Sequence, residues 1–442
     1  MSAVASTRAV TLNRLRTAYD QFRGIASITE FGTLALSMVF IRATRRSDWQ
    51  DWPQLGDLVT DGLLRDLGGE LGPGVDPTAN ILRELPNPAL TGLIEVIEPA
   101  AELMGDARAF QLILEELAWD RDVLTPESVA AIMTSVIGID SGATVYDPFC
   151  RAGELLIAAA AQTRPDSHDG GVALRGDSPD FRSQAIARMN TRLHHAEAGI
   201  WQQSDAGPTK ALRPSRILTN PPFNAKQWAR RGEHHWPYGR PPQGNANFAW
   251  LQYVTDQLEP GGRAAVVMAN NAAFSANPHE QEIREGMVAD GCVEALISLP
   301  PSLFRGTRVS ATIWLLNPPG IQRDEILFVD ASAAGHMASR TLRELNAAEV
   351  DEIADIVIEW RSGPQSHRPG TAVRSTTAQL PEIRERDYNL SPSVYVPEPD
   401  SGVSPRVELP MIREIRDRLT DEYASAQAKD ARAIQTLGAL LR

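Results

Sequence analysis

The chain reads as an α/β protein in which a doubly wound, Rossmann-like sheet domain follows a helical region and precedes one last helix. Three observations carry this reading. Short apolar runs at 143–147, 172–176, 215–219, 263–269, 293–299, 311–316 and 326–330 have the length and near-continuous hydrophobicity of strands covered on both faces. Helical patterns fall between most of them. Several runs end in turns with acidic or amide side chains, where open α/β sheets bind their ligands.

Residues 7–46 read as helix, with Leu12, Leu15, Tyr19 and Phe22 on one face, and a second helical stretch runs from Ile28 to about Arg45. The apolar run Leu34 to Ile41 is too short to span a bilayer and reads as a buried helix segment. A Gly/Pro-rich connection, Leu71-Gly-Pro-Gly-Val-Asp-Pro77, precedes helical patterns at about 88–104 and 106–119. Residues 1–119 are therefore expected to form a helical domain. From Thr125 the pattern changes: Thr125-Pro126-Glu127-Ser128 predicts a helix start, with Thr125 as N-cap and Pro126 at the first helical position, continuing to Ile137. The sheet domain is expected over 120–400. After Pro381 the alternation fades, and a polar, Pro-rich stretch from Ser391 to Pro410 leads to a helix at about 410–436. That helix carries Ile412, Ile415, Leu419 and Tyr423 at helical spacing, so 401–442 reads as a tail and helix for docking a partner.

Composition narrows the function. The chain has 442 residues and a formal charge of −13, which argues against a broad self-sufficient grip on nucleic acid, because phosphate contacts need clustered Lys and Arg. Either the substrate is not nucleic acid or a partner supplies much of the grip. Two cysteines, Cys150 and Cys292, cannot build a disulfide framework or a Cys-rich metal site. With no signal peptide at its start and no membrane segment, the expected location is the cytoplasm. The Walker-type phosphate loop is absent from the sequence, which removes a translocase of that class.

Four segments carry candidate chemistry. In Ile217-Leu-Thr-Asn220-Pro221-Pro222-Phe223, two prolines fix φ and remove two donors, so the main chain must leave the sheet. The turn offers one amide, one carbonyl and one ring. The Asn220 side-chain oxygen and the Pro221 carbonyl can both accept from an exocyclic amine while Phe223 stacks on the ring that bears it. A second segment, Val145-Tyr-Asp147-Pro148-Phe149-Cys-Arg-Ala-Gly153-Glu154-Leu-Leu156, is a strand ending in an acid, a tight loop and a helix start, suited to a nucleotide-like cofactor, with Gly153 allowing close approach, or is a plain strand-to-helix turn. Asp177, after the second strand, is placed to hold a ribose diol or is a simple turn acid. Asp205, after Trp201-Gln-Gln-Ser, could accept from an adenine amino group or face solvent in a turn. The fourth segment, between Asn224 and Asn247, interleaves Lys226, Arg230, Arg231 and Arg240 with Trp228, Trp236 and Tyr238. It suits contact with a nucleic-acid backbone and bases, or forms a lid held by its own aromatics. His234 and His235 lack a matching set of ligands, so no metal is expected.

Taken together, the Asp147 loop and Asn220-Pro-Pro-Phe223 in this order resemble the N6-adenine DNA methyltransferases, and specifically the modification (M) subunits of type I restriction–modification systems. The resemblance extends over roughly residues 10–400. It takes in Leu124-Thr-Pro-Glu-Ser-Val, Asn245-Ala-Asn-Phe-Ala-Trp-Leu-Gln, Leu258-Glu-Pro-Gly-Gly-Arg-Ala-Ala-Val-Val, Leu299-Pro-Pro-Ser-Leu-Phe-Arg-Gly-Thr307 and Asp387-Tyr-Asn-Leu-Ser-Pro-Ser. It implies methyl transfer from S-adenosylmethionine to adenine N6 in double-stranded DNA. Asn220, Pro221, Pro222 and Phe223 would be the catalytic motif; Thr125, Pro126, Asp147, Pro148, Phe149, Gly153, Asp177 and Asp205 would border the cofactor. It also implies a specificity (S) subunit as partner, with two M per S, and a restriction (R) subunit in some assemblies. Two departures stand out. Arg151 and Ala152 replace the family's Gly and Ser/Thr, so Arg151 is expected to strain the turn or narrow the pocket. The acid that usually follows the second strand aligns with Ser178, leaving Asp177 or Asp180 to substitute. Two other functions compete: a non-catalytic DNA-defence scaffold, and a methyltransferase acting on protein glutamine.

Overall fold

A computed structural model describes residues 3–55, 67–75, 81, 87–117, 124–162, 171–202, 213–223, 236–363 and 372–397. The first part is helical: α1 (Ala3–Asp20), α2 (Ile28–Thr44), α3 (Arg46–Leu55), α4 (Asn87–Met104) and α5 (Asp106–Leu117). A capping box starts α2, the Ser27 side chain accepting from Glu30 N while Glu30 reaches back to Ser27 N. From Phe31 to Arg42 every residue of α2 is buried, so it is the axis around which the other helices pack. Phe22 meets Phe31 edge-on, ring centroids 4.8 Å apart, as the apolar face of α1 predicts. At the far end of α2, the buried Arg42 guanidinium donates to Glu98 at 2.8 Å and also binds Asp106. Glu98 further accepts from Trp49 Nε1 at 2.6 Å and Arg46 Nη2 at 2.7 Å. The bonds from Arg42 lead these effects and hold the Glu98 carboxyl down at about 2.

The second part is a nine-stranded sheet in the order β11-β8-β6-β7-β5-β4-β1-β2-β3. Its strands are β1 (Thr144–Asp147), β2 (Ala173–Ser178), β3 (Ala198–Gln202), β4 (Arg216–Thr219), β5 (Arg263–Ala269), β6 (Val293–Ser298), β7 (Ala311–Leu316), β8 (Glu325–Asp330) and β11 (Arg374–Gln379). A two-stranded ribbon, β9 (His336–Met337) and β10 (Arg343–Glu344), stands apart. Within the nine-stranded sheet, β7 is antiparallel to both β5 and β6, and β11 to β8, and the other pairs are parallel; the ribbon β9–β10 is antiparallel. Alternate side chains feed two cores. Val145, Leu218 and Val267 point to the face covered by α6 (Glu127–Ile137), α7 (Glu154–Gln162) and α12 (Ala347–Ser362). Tyr146, Ile217 and Val266 point to the face covered by α9 (Asn247–Gln257), α11 (Pro278–Ala289) and the end segments α13 (Leu380–Glu385) and α14 (Pro392–Tyr395). The four-residue α10 (Asn271–Phe274) caps β5.

The chain turns in opposite directions on the two sides of β1. Strands β2 and β3 extend one way and β4 with β5 the other, so the loops leaving β1 and β4 open side by side at the switch point. The helical layer reaches this edge through α8 (Phe181–Leu193): Ala185, Ile186 and Met189 share one core with Phe31, Leu93 and Phe110.

Several expectations are corrected. Strand β3 has only Ile200 buried, and β11 is an edge strand of mostly polar residues, so neither shows the apolar run that marks a central strand. Strand β2 continues to Ser178, which places Asp177 inside the strand rather than after it. Helix α6 starts at Glu127 with Pro126 as N-cap, and Thr125 does not cap it. The helix expected at 410–436 and the tail 401–442 lie outside the described residues.

Removing the Arg42 guanidinium takes a buried cation away from both Glu98 and Asp106. Arg42→Met is expected to lower stability by about 3 kcal/mol in urea unfolding, while Asp51→Asn at an exposed position of α3 leaves it within about 0.5 kcal/mol.

Candidate active site

Strand β1 ends at Asp147, 3% exposed. Its Oδ1 accepts from the Phe149 backbone N–H at 3.0 Å and from the Thr219 hydroxyl at 2.9 Å. Thr219 is the last residue of β4, so one oxygen joins the two loops at the switch point. Burial raises the Asp147 carboxyl to about 7; the bond from Phe149 opposes it, and the nearby Glu154 adds to the rise.

The loop after Asp147 is pinned at several residues. Cys150 N donates to Asp177 O at 3.0 Å, the Ser178 hydroxyl donates to Cys150 O at 2.7 Å, and Asn190 Nδ2 donates to Ala152 O at 2.8 Å. Gly153 takes φ +78°, and a Cβ there would stand 2.7 Å from Thr191 Cγ2, so both backbone and space demand glycine. Arg151 is buried and does not take a left-handed φ, so the expected strain at this position is absent. Ala152 is fully buried and belongs to the helical core with Ala185 and Met189; a hydroxyl there would lie among apolar neighbours. The departure from Ser/Thr thus follows from packing against the helical layer.

Asp177 is 9% exposed, and its Oδ2 accepts from the Tyr146 hydroxyl at 2.8 Å. Burial pushes that hydroxyl well above its ordinary range, so it remains a donor. Ser178 is spent on the Cys150 carbonyl, and Asp180 caps α8 through Ser183 N at 2.8 Å. Of the two candidates for the second-strand acid, Asp177 is the one that lies in the sheet beside the loop.

The Asn220 turn begins where β4 stops. Asn220 is 6% exposed, and its Nδ2 donates to Thr125 Oγ1 at 3.2 Å. Phe223 is half-buried and meets Phe304 edge-on, centroids 6.4 Å apart at 78°. Phe304 sits in the loop after β6, whose next residue, Arg305, bridges to Glu116 at 2.8 Å and Glu115 at 3.2 Å on α5. A cavity of about 920 Å³ lies beside Thr125, bordered by Thr125, Pro126, Leu303, Arg305 and Gln111, and is lined by none of Asp147 or Asn220 through Phe223.

Phe149 packs edge-on against Trp250 at 4.6 Å, with Trp236 beside them. Tyr238 donates to Asp290 Oδ2 at 2.5 Å and, through its backbone, to Gln252 at 3.2 Å. These aromatics anchor the far end of the basic loop and leave Arg240 exposed. Lys226, Arg230, Arg231 and Asp205 lie outside the described residues. The structure therefore brings together Thr125, Asp147, Phe149, Gly153, Asp177 and Asn220 through Phe223. Sequence reasoning gave no role to Glu154, Thr219, Tyr146 or Phe304. Each had a positional signal, Tyr146 and Thr219 inside the Asp147 and Asn220 segments, Glu154 directly after Gly153 and Phe304 within Leu299–Thr307, but none of these positions told which partner it meets.

The family model for N-6 DNA methylases matches residues 102–401, which contain the whole sheet and both switch-point loops. The chain belongs to the N-6 DNA methylase family. Among its relatives, the HindI methylase subunit of Haemophilus influenzae, a type I restriction enzyme subunit, is 30% identical over 327 residues, 72% of each chain. The MjaIX methylase subunit of Methanocaldococcus jannaschii is 26% identical over 71% of this chain and 59% of its own. A type I methyltransferase subunit from Streptococcus thermophilus shares the fold, with TM-score 0.66 at 19% identity, over 88% of this chain and all of that one. As a member of this family, the methylase is an N6-adenine DNA methyltransferase subunit of restriction–modification type. Among the described residues no helix is long and apolar enough to cross a membrane.

The raised Asp147 carboxyl has a signed consequence. Between about pH 4 and 7 the folded state holds a proton that the unfolded chain has released, so this group lowers stability as pH rises through that window and has no further effect above it. Asp147→Asn removes the effect. Its stability relative to the unaltered protein should rise from pH 4 to pH 7 in urea titrations, and parallel curves would contradict the assignment.

Proposed function

We propose that the methylase uses S-adenosylmethionine to methylate adenine N6 in double-stranded DNA, with the cofactor at the Asp147 loop and the base at the Asn220 turn. The observation that carries this reading is the single Asp147 oxygen that joins the two loops, since methyl donor and acceptor must meet within bonding reach. The donor set fits the cofactor. Asp147, Asp177 and Glu154 concentrate acidic charge around one loop, and burial works against the Asp147 anion. A ligand carrying an ammonium and a sulfonium would relieve it. When bound, the cofactor supplies an electrophilic methyl group.

The chain's own residues then perform the rest. Asn220 and the Pro221 carbonyl accept hydrogen bonds from the two N–H groups of the adenine amine, which withdraws the nitrogen lone pair from the ring and aims it along the line of attack; one of the two protons passes to water as the nitrogen gains the methyl group. Phe223 stacks on the base once it has left the duplex, and Phe304 limits how far that ring can tilt. Pro222 keeps the turn from relaxing back toward the sheet. Pro126, Pro148, Phe149 and Gly153 shape the cofactor side, and Asp205 is assigned to the cofactor's amino group. Lys226, Arg230, Arg231 and Arg240 contact the DNA backbone. With a charge of −13, the chain depends on a specificity subunit for sequence reading, two copies of the methylase flanking one such subunit, and a restriction subunit completes a cleaving assembly.

Asn220→Ala is expected to remove N6-methyladenine from host DNA in methylation-sensitive sequencing, a loss of about 100-fold or more in rate. Phe223→Ala should weaken productive base engagement by about 1–3 kcal/mol, seen as a raised KM for DNA. Unchanged methylation in Asn220→Ala would refute the catalytic assignment.

A further inference from the structure

Thr125 was expected to cap a helix, yet its hydroxyl does not do so. Helix α6 begins at Glu127 behind Pro126, with no side-chain cap. The Thr125 hydroxyl instead meets the end of β4, accepting from Asn220 Nδ2 at 3.2 Å. The two residues are 5% and 6% exposed, so the bond lies where few water molecules can replace it.

Thr125 is itself held. Its backbone N–H donates to Glu154 Oε1 at 3.0 Å, and Glu154 Oε2 accepts from Ala152 N at 3.2 Å. Glu154 opens α7, so one carboxylate clamps the segment before α6 onto the loop after β1. The prolines that follow Asn220 fix their own φ but leave the Asn220 side-chain torsions to be set by contacts. Those torsions decide which end of the amide faces the base. An amide turned the wrong way presents N–H donors to an amine that is itself a donor.

We infer that Thr125 is a positioning residue for Asn220, anchoring the amide nitrogen so that the oxygen faces the adenine amine, with Glu154 fixing Thr125 in turn. The inference rests on the proposed role of Asn220 as amine acceptor. It gives Thr125 a part in methyl transfer that does not run through cofactor affinity.

The test uses the full-length methylase assembled with its specificity subunit, comparing Thr125→Val and Thr125→Ser with the unaltered protein. Three quantities are read: kcat, KM for DNA, and the Kd of S-adenosylmethionine by calorimetry. Thr125→Val should lower kcat about tenfold, with KM for DNA and Kd within about twofold, because the lost bond acts on the reacting geometry rather than on binding. Thr125→Ser, which keeps the hydroxyl, should restore kcat to within about threefold. Should Thr125→Val lose its cooperative unfolding transition, Thr125→Ala adds no atoms and carries the same test. A weakened Kd with kcat unchanged at saturating cofactor would make Thr125 a cofactor contact and overturn the inference. Equal loss in the Val and Ser variants would overturn it as well. Failure of the unaltered assembly to methylate adenine is a different result: it overturns the proposed function itself, and the positioning role with it.

Discussion

The geometry of this methylase hangs on one carboxylate oxygen. Asp147 Oδ1 receives a backbone N–H from its own loop and a hydroxyl from the end of β4, and so fixes the spacing of the two loops that flank the switch point. Neighbouring parallel strands place those loops side by side, but strand pairing alone does not set the height at which each leaves the sheet. A buried acid with two donors does. Its cost is visible in the carboxyl, which burial drives to about 7. A cationic ligand at the loop would offset that cost, so the same group that organises the site also favours the cofactor the proposal assigns to it.

The helical layer matters to chemistry because it supports the loops from outside the sheet. Ala152 sits in the helical core, Arg305 reaches Glu115 and Glu116 on α5, and Phe304, next to Arg305, leans on Phe223. The residues that replace the family's Gly and Ser/Thr are accommodated by this support. Arg151 lies buried without a left-handed backbone, and Ala152 exchanges a hydroxyl for apolar contact. Gly153 alone keeps the conformational demand of the loop, with φ +78° and no room for a side chain.

What could be read from the sequence divides along physical lines. The central strands β4 through β8 were legible because burial on both faces writes an apolar run into the chain. Strand β3, with one buried residue, and the polar edge strand β11 left no such trace, because their pairing is backbone to backbone and indifferent to side-chain character. Asp147 and Asn220 stood out since each sits in a local motif whose shape is set by adjacent Pro and Gly. Their pairings did not: Thr219 is 72 residues from Asp147, Thr125 is 95 from Asn220, and Glu154 is 29 from Thr125. Contacts of that separation appear only once the sheet has formed. Thr125 shows the limit plainly. Thr before Pro and Glu has the composition of a helix cap, and the side chain's true partner lies across the fold.

The central claim is that the two joined loops bring a methyl donor to the amino group of adenine. It is tested most directly by supplying the assembled protein with isotopically methyl-labelled S-adenosylmethionine and unmethylated DNA, then digesting the DNA to nucleosides for mass spectrometry. The account predicts label in N6-methyl-2′-deoxyadenosine and in no other nucleoside. Label in a methylated cytosine, label recovered only in protein, or no transfer at all would contradict it.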